Sequence, residues 1–314
     1  MTGTRMNSLR SVAVALVVCL ALIGLVGCSN DTGGGSGATP KVSGINPSAE
    51  LDYDKATVHL PEDYVKTWDE NEVEIVDSAK EGNFIQCVYE KTGTKLDPYP
   101  VSQYEQVREV FFLYGPWTMP IAEKFAFVHP KTDGELTFNE NVPKPDDYEE
   151  AASGNPYENL TQEQRTEFAE LCGSEPSEDK FDVEAAQLDG PGSVAMGEVP
   201  DKVSTDTRIT TLVDEFDECL QTKGMNADRS AIGYPQGVEF WTVDEDQIEM
   251  AIKTVECKDQ IDFTQRLADV TAEYQMKVID EYGAELMAQR EAWDDLVQDA
   301  KDYIAANPDY VTQN

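Results

Sequence analysis

The chain is short of base. Its 314 residues include 24 Lys and Arg against 61 Asp and Glu, for a formal net charge of −37. That imbalance excludes a nucleic-acid partner and a module that docks on anionic lipid, since both need clustered positive charge. Histidine is scarcer still. His59 and His129 are the two, and neither stands in a Cys, Asp and Glu cluster with metal-ligand spacing, so no metal site is expected. The sequence also lacks a Gly-x-Ser-x-Gly elbow, a phosphate-binding glycine loop and a dinucleotide fingerprint, so no cofactor and no catalytic residue are assigned. The many acids could supply a carboxylate pair for glycoside hydrolysis, but nothing in the sequence selects one pair over another.

Strand signals are few. Ala56-Thr57-Val58-His59-Leu60 alternates before Pro61, and Phe125 to Val128 and Val238 to Val243 are short candidates. The expected fold is mainly α with a few short strands. The strand-helix alternation that builds the two parallel-sheet lobes of an importer's solute-binding protein is missing. The acids themselves are spread along the chain and read as a solvated surface. Neither Asp52-Tyr53-Asp54 nor Asp244-Glu245-Asp246 sits in a twelve-residue calcium loop with its central glycine and terminal glutamate.

One apolar run stands out, Val12 to Val26, preceded by Arg5 and Arg10 and closed by Gly27-Cys28. At 15 residues it is shorter than the roughly 18 to 20 needed for a membrane span, and its order is that of a secretory signal. Leu25-Val26-Gly27-Cys28 resembles the lipobox of bacterial lipoproteins. The resemblance implies cleavage before Cys28, a diacylglyceryl group on its sulfur and a further acyl chain on its amine, which together hold a protein stably on a membrane. Residues 1–27 then form a signal peptide and residues 28–50, rich in Gly, Ser, Thr and Pro, a flexible tether. Without residues 1–27, which contain two arginines and no acid, the formal charge becomes −39. The expected place is the extracytoplasmic face of the cell membrane.

Cys19 lies in the signal, which leaves Cys87, Cys172, Cys219 and Cys257 for disulfides in an exported chain. Phe84-Ile-Gln-Cys87 followed by Gly93 is repeated by Phe216-Asp-Glu-Cys219 followed by Gly224. Each cysteine falls near the end of an apolar-periodic helix that a glycine can close. Val73, Val76, Phe84, Cys87 and Val88 carry the first periodicity, weakened by Gly82 and Asn83; Ile209, Leu212, Val213, Phe216 and Leu220 carry the second, with Asp206 as N-cap. Thr161-Gln-Glu-Gln164 and Asp246-Gln-Ile-Glu249 read as capping boxes, each eleven residues before the partner cysteine. Residues 51–305 are thus expected as an α-rich domain in two related halves, 51–175 and 204–305. The economical pairing is Cys87 with Cys172 and Cys219 with Cys257. Lys131 to Asn159 and Gly173 to Ser204 read as irregular excursions.

From Phe263 through Leu267, Val270, Tyr274, Val278, Tyr282, Leu286, Trp293, Val297, Ala300 and Ile304, apolar residues recur at three or four, with one step of seven. The pattern predicts a rod on the order of 65 Å long, ended by Asn307-Pro308, with 306–314 as a tail. Such a helix is either the shared spine of both halves, which we expect, or a coiled-coil arm.

Several short motifs together resemble uncharacterised lipoproteins of actinobacteria. They are the lipobox, Leu60-Pro61-Glu62-Asp63-Tyr64, the helix ending in Cys and Gly, Tyr114-Gly115-Pro116-Trp117, and Cys257-Lys258 before the long helix. The sequence departs from that pattern at Val88 and Leu220, where Met often follows the cysteine. The resemblance brings a location and no activity.

For function, the expectation is a noncatalytic structural or protein-interaction component of the cell envelope, anchored by lipid, with an envelope protein or the cell wall as partner. Two alternatives accompany it. Aromatics gather with prolines at 96–120, including Tyr99 and Tyr104, and in the matching stretch of the second half. Tyr114, Trp117, Tyr234 and Trp241 could line a groove for a sugar, peptide or other solute, or could instead fill the core. A cell-wall hydrolase is the other alternative, without a nucleophile or metal set to support it.

Overall fold

The computed structural model describes residues 44–67, 69–98, 114–129, 159–173, 180–181 and 190–311. Residues 1–43, with the signal segment and Cys28, lie outside them, as do Tyr99, Tyr104 and 130–158. The described part is mainly helical, as the sparse strand signals imply. It opens with a two-stranded antiparallel hairpin, β1 (Glu50–Asp52) and β2 (Thr57–His59), in which Leu51 faces Val58. Asp52 closes the hairpin turn by accepting from the backbone of Asp54 and Lys55 at 3.0 Å. A short 3-10 turn at Pro61–Tyr64 follows.

Helix α1 (Glu70–Thr92) starts at Asp69, whose carboxylate accepts from the Asn71 and Glu72 amides. It ends at Gly93 in the left-handed conformation, φ 73°. Gly82 is more than a weak point in this helix. A Cβ there would lie 2.5 Å from Val311 Cγ2 and 3.2 Å from the Tyr303 ring, so the bare backbone is what lets α1 meet the end of the chain. α2 is Met119–Phe125 and α3 is Gln162–Cys172. Thr161 and Gln164 make the expected reciprocal capping box, with bonds of 3.2 and 3.0 Å. α4 (Pro191–Gly197) and α5 (Val199–Ser204) precede α6 (Thr207–Thr222), which Asp206 caps by accepting from Arg208 N at 2.8 Å. α7 is Glu245–Ile261, and α8 is Phe263–Ala306, 44 residues without a break at Gly283.

Two disulfides join Cys87 of α1 to Cys172 of α3 and Cys219 of α6 to Cys257 of α7. They close loops with sequence separations of 85 and 38. In the chain-entropy model, loops of such length contribute roughly 4 to 5 kcal/mol each before strain and residual structure are subtracted. Other contacts cross between 51–175 and 204–305. Ala122, Ala126 and Phe127, in and after α2, pack on Ala251 and Val255 of α7. The early part of α8 shares a core with α5 and α6, and its later part, Trp293 to Tyr303, packs on Val76 and Ala79 of α1. The apolar stripe of α8 is therefore covered by the chain's own helices, which makes it a spine within the fold.

Several expectations shift. Phe125 to Val128 is the end of α2 and the turn after it, all buried; an unbroken apolar run has no alternation to favour a strand. Val238 to Val243 forms turns, because Gln247 of α7 occupies the polar groups beside it: Gln247 Oε1 accepts from Glu239 N and Gln247 Nε2 donates to Gly237 O. The cap of α7 is Asp244, bound to Gln247 N at 2.8 Å, two residues before the expected Asp246. The stretch from Gly173 to Ser204 ends in two short helices, α4 and α5. Val311, expected in a tail, is buried, as is Ala49 at the end of the expected tether.

Candidate functional site

The aromatic loops meet over two glycines. Gly115 (φ 56°) and Gly233 (φ 80°) both take the left-handed backbone and lie against each other. A Cβ on Gly233 would sit 2.8 Å from the Tyr114 carbonyl oxygen, and one on Gly115 would sit 3.1 Å from Gly233 O and from the Tyr234 ring. Any side chain at either position would drive the two turns apart. Lys258 of α7 holds the first turn from below. It is 1% exposed, and its Nζ donates to the carbonyls of Tyr114 and Pro116, the latter at 2.8 Å. Burial pushes its pKa well below the ordinary 10.5, with Asp259 opposing in part. Two backbone carbonyls thus receive its hydrogens, one on each side of Gly115. The Phe216 and Phe263 rings flank it at 6.0 and 5.7 Å.

Above these turns lies a cavity of about 820 Å³. β2 and the 3-10 turn supply Val58, Leu60, Glu62 and Asp63; α4 and α5 supply Met196 and Val199; α8 supplies Thr271, Gln275, Leu286 and Gln289. The aromatic wall is Tyr114, Phe127, Tyr234, Phe240 and Trp241. Tyr234 stands between Phe127 and Phe240, at ring distances of 6.2 and 5.4 Å, and burial raises its hydroxyl to about 12. Phe240 and Trp241 form an exposed rim. His129 also lines the cavity, whereas His59 is on the surface near Asp63.

The structure thus brings together Tyr114, Tyr234 and Trp241. Trp117 does not join them. It is 1% exposed, set edge-on to Tyr53 at 5.1 Å within the main core. The polar residues of α8 went unseen in the sequence, because reading that helix for apolar periodicity passes over Thr271, Gln275 and Gln289, all buried. One sign was available: Gln289 stands inside the step of seven between Leu286 and Trp293.

Most polar groups facing this space are already engaged. Gln275 and Glu62 bind each other twice, side chain to side chain and Glu62 N to Gln275 Oε1 at 3.3 Å. Thr271 Oγ1 donates to Leu267 O at 2.9 Å, and Ser193 Oγ donates to Gln289 Oε1 at 2.8 Å. Asp63 accepts from Leu60 N at 3.0 Å. Among the described residues, three buried polar side-chain atoms have no hydrogen-bond partner: Thr57 Oγ1, the Tyr114 hydroxyl and Trp117 Nε1. Of these three residues, Tyr114 is the one that lines the cavity. Burial raises its pKa strongly; Thr271, beside it but short of a hydrogen bond, pulls the other way, and the carboxylates of Glu62 and Asp63 add to the rise.

Among the described residues no Cys, His, Asp and Glu group is arranged to hold a metal ion, and no helix is long and apolar enough to cross a membrane. Of the acids singled out in the sequence, Asp52 closes the hairpin turn and Asp244 caps α7. No protein-family model, characterised protein or solved structure matches the chain.

Proposed function

We propose that this chain is a lipid-anchored, extracytoplasmic binding protein that holds a small, largely apolar molecule in the aromatic cavity. One observation carries the reading: a cavity of about 820 Å³ walled by Tyr114, Phe127, Tyr234, Phe240 and Leu286. That size and lining fall in the range of small-molecule sites, whose volumes are typically about 300 to 1,000 Å³. The two disulfides point to an extracytoplasmic location. The lipobox at Leu25 to Cys28 and the acidic surface support a protein tethered to a membrane by acyl chains alone. The covered stripe of α8 favours a ligand-binding role over an envelope scaffold joined through a coiled coil.

The test is a fluorescence titration of the purified, lipid-free protein with ethylnaphthalene, an apolar probe that fits such a space. Saturable binding is expected, and Val58→Trp, which puts an indole into the cavity from β2, should abolish it. Absence of saturable binding to the wild type, or equal binding to the filled variant, contradicts the reading.

A further inference from the structure

We infer that Tyr114 selects the ligand, its hydroxyl donating a hydrogen bond to a neutral acceptor such as a ketone, ester or ether oxygen on an otherwise apolar or aromatic molecule. The inference rests on the cavity being a ligand site, and it adds the chemistry of what enters. Three observations lead to it.

The first is cost. Tyr114 is 5% exposed and its hydroxyl has no hydrogen-bond partner among the described residues. A buried unmet donor is expensive, and folded proteins keep few of them. The second is placement. Lys258 fixes the backbone end of this residue through the Tyr114 carbonyl, and the Gly115–Gly233 contact fixes the turn. The backbone that carries the ring is therefore held in place. Its hydroxyl end lies toward Thr271, Glu62 and Asp63, and all three residues line the cavity.

The third is selectivity. The inner polar groups bind each other, Gln275 with Glu62 and Gln289 with Ser193. A ligand rich in polar groups would have to break those pairs, whereas one with a single acceptor needs only the buried Tyr114 hydroxyl, which lacks a partner among the described residues. Its charge is restricted as well. Lys66 offsets Asp63 at 3.6 Å, but Glu62 and Asp63 are the charges that act on the phenol itself, so beside it a carboxylate ligand is disfavoured and a carbonyl or ether oxygen is accepted.

Three probes of one shape test this: acetylnaphthalene, ethylnaphthalene and naphthoate, titrated into wild type and Tyr114→Phe. Wild type is expected to bind the ketone about tenfold more tightly than the hydrocarbon, the value of one good hydrogen bond in a dry site, and naphthoate more weakly than the ketone. Tyr114→Phe should erase the preference for the ketone while hydrocarbon binding stays or improves. The same variant should raise the Tm of the ligand-free protein, because it removes an unmet donor and keeps the ring; a lowered Tm would show the hydroxyl already satisfied and overturn the inference. Equal binding of ketone and hydrocarbon by wild type, or a ketone preference that survives in Tyr114→Phe, also overturns it while the cavity remains a binding site. If no probe binds, the binding reading fails and this inference fails with it.

Discussion

Trp293 of α8 donates its indole hydrogen to Glu72 of α1, Nε1 to Oε2 at 2.6 Å, across 221 positions of sequence. The other oxygen of Glu72 takes Arg290 Nη2 at 2.9 Å, and Arg290 Nη1 reaches the Lys66 carbonyl at 2.9 Å. One carboxylate at the start of α1 thus binds two residues of the spine, and the indole beside it is fully buried. Trp293→Ala should destabilise the purified domain by about 3 to 5 kcal/mol, the range for emptying a large aromatic site. Urea unfolding measures this, and a change under about 1 kcal/mol would place Trp293 outside the core.

Two left-handed glycines, one at the end of α1 and one in the turn against Tyr114, separate backbone strain from contact. Gly93 and Gly233 both have positive φ, but a Cβ on Gly93 meets nothing within 4 Å among the described residues, whereas one on Gly233 meets Tyr114 O at 2.8 Å. Gly93→Ala should cost about 1 to 2 kcal/mol, the penalty of a left-handed non-glycine residue. Gly233→Ala should cost more and weaken probe binding as well, since it displaces Tyr114. Equal losses for the two variants would mean that the Gly233 turn does not press on the Tyr114–Gly115 turn.

Lys258 links stability to alkali. Burial lowers its folded pKa, so between that value and 10.5 the unfolded chain binds a proton that the folded chain resists. Its contribution is complete above pH 10.5 and is lost as pH falls toward the depressed folded value. The urea midpoint of wild type should rise more steeply from neutrality to pH 10.5 than that of Lys258→Met. At the alkaline end the variant should be less stable by on the order of 1 to 3 kcal/mol, because the Tyr114 and Pro116 carbonyls lose their donor. Parallel pH curves would contradict the lowered pKa of Lys258.

The disulfides differ in access. Cys257 is fully buried and Cys219 is 6% exposed, while Cys87 and Cys172 are only partly covered. Under mild reductant and a mass-tagging thiol reagent, Cys87 and Cys172 should be labelled first while Cys219 and Cys257 stay protected. Simultaneous labelling of all four would show that the α6–α7 pair opens as readily.

Much of this architecture was legible because the signals were local. The Asp206 cap, the Thr161–Gln164 box and the apolar steps of α8 each depend on residues a few positions apart, and so does the stop at Asn307-Pro308. Two long-range pairings were also legible, since repeated Phe-x-x-Cys segments placed each cysteine on a helix with a partner. What escaped depended on contacts distant in sequence. Gly82 read as a flaw in α1 because Val311 and Tyr303, which need its bare backbone, lie more than 200 residues away. Val238 to Val243 had strand composition, but the Gln247 side chain took the Glu239 amide and the Gly237 carbonyl just before the segment. At the site, Tyr114, Tyr234 and Trp241 stood out as aromatics, whereas Trp117 has the same composition signal and a core position. The buried Thr271 and Gln275 become visible only when helix and hairpin are assembled.

The most direct test is a crystal structure of the wild-type protein with acetylnaphthalene. The account predicts the aromatic rings between Tyr234 and α8, with the ketone oxygen within about 3 Å of the Tyr114 hydroxyl. A cavity filled by the protein's own chain, or a probe bound there with its oxygen turned out toward Trp241, would contradict it.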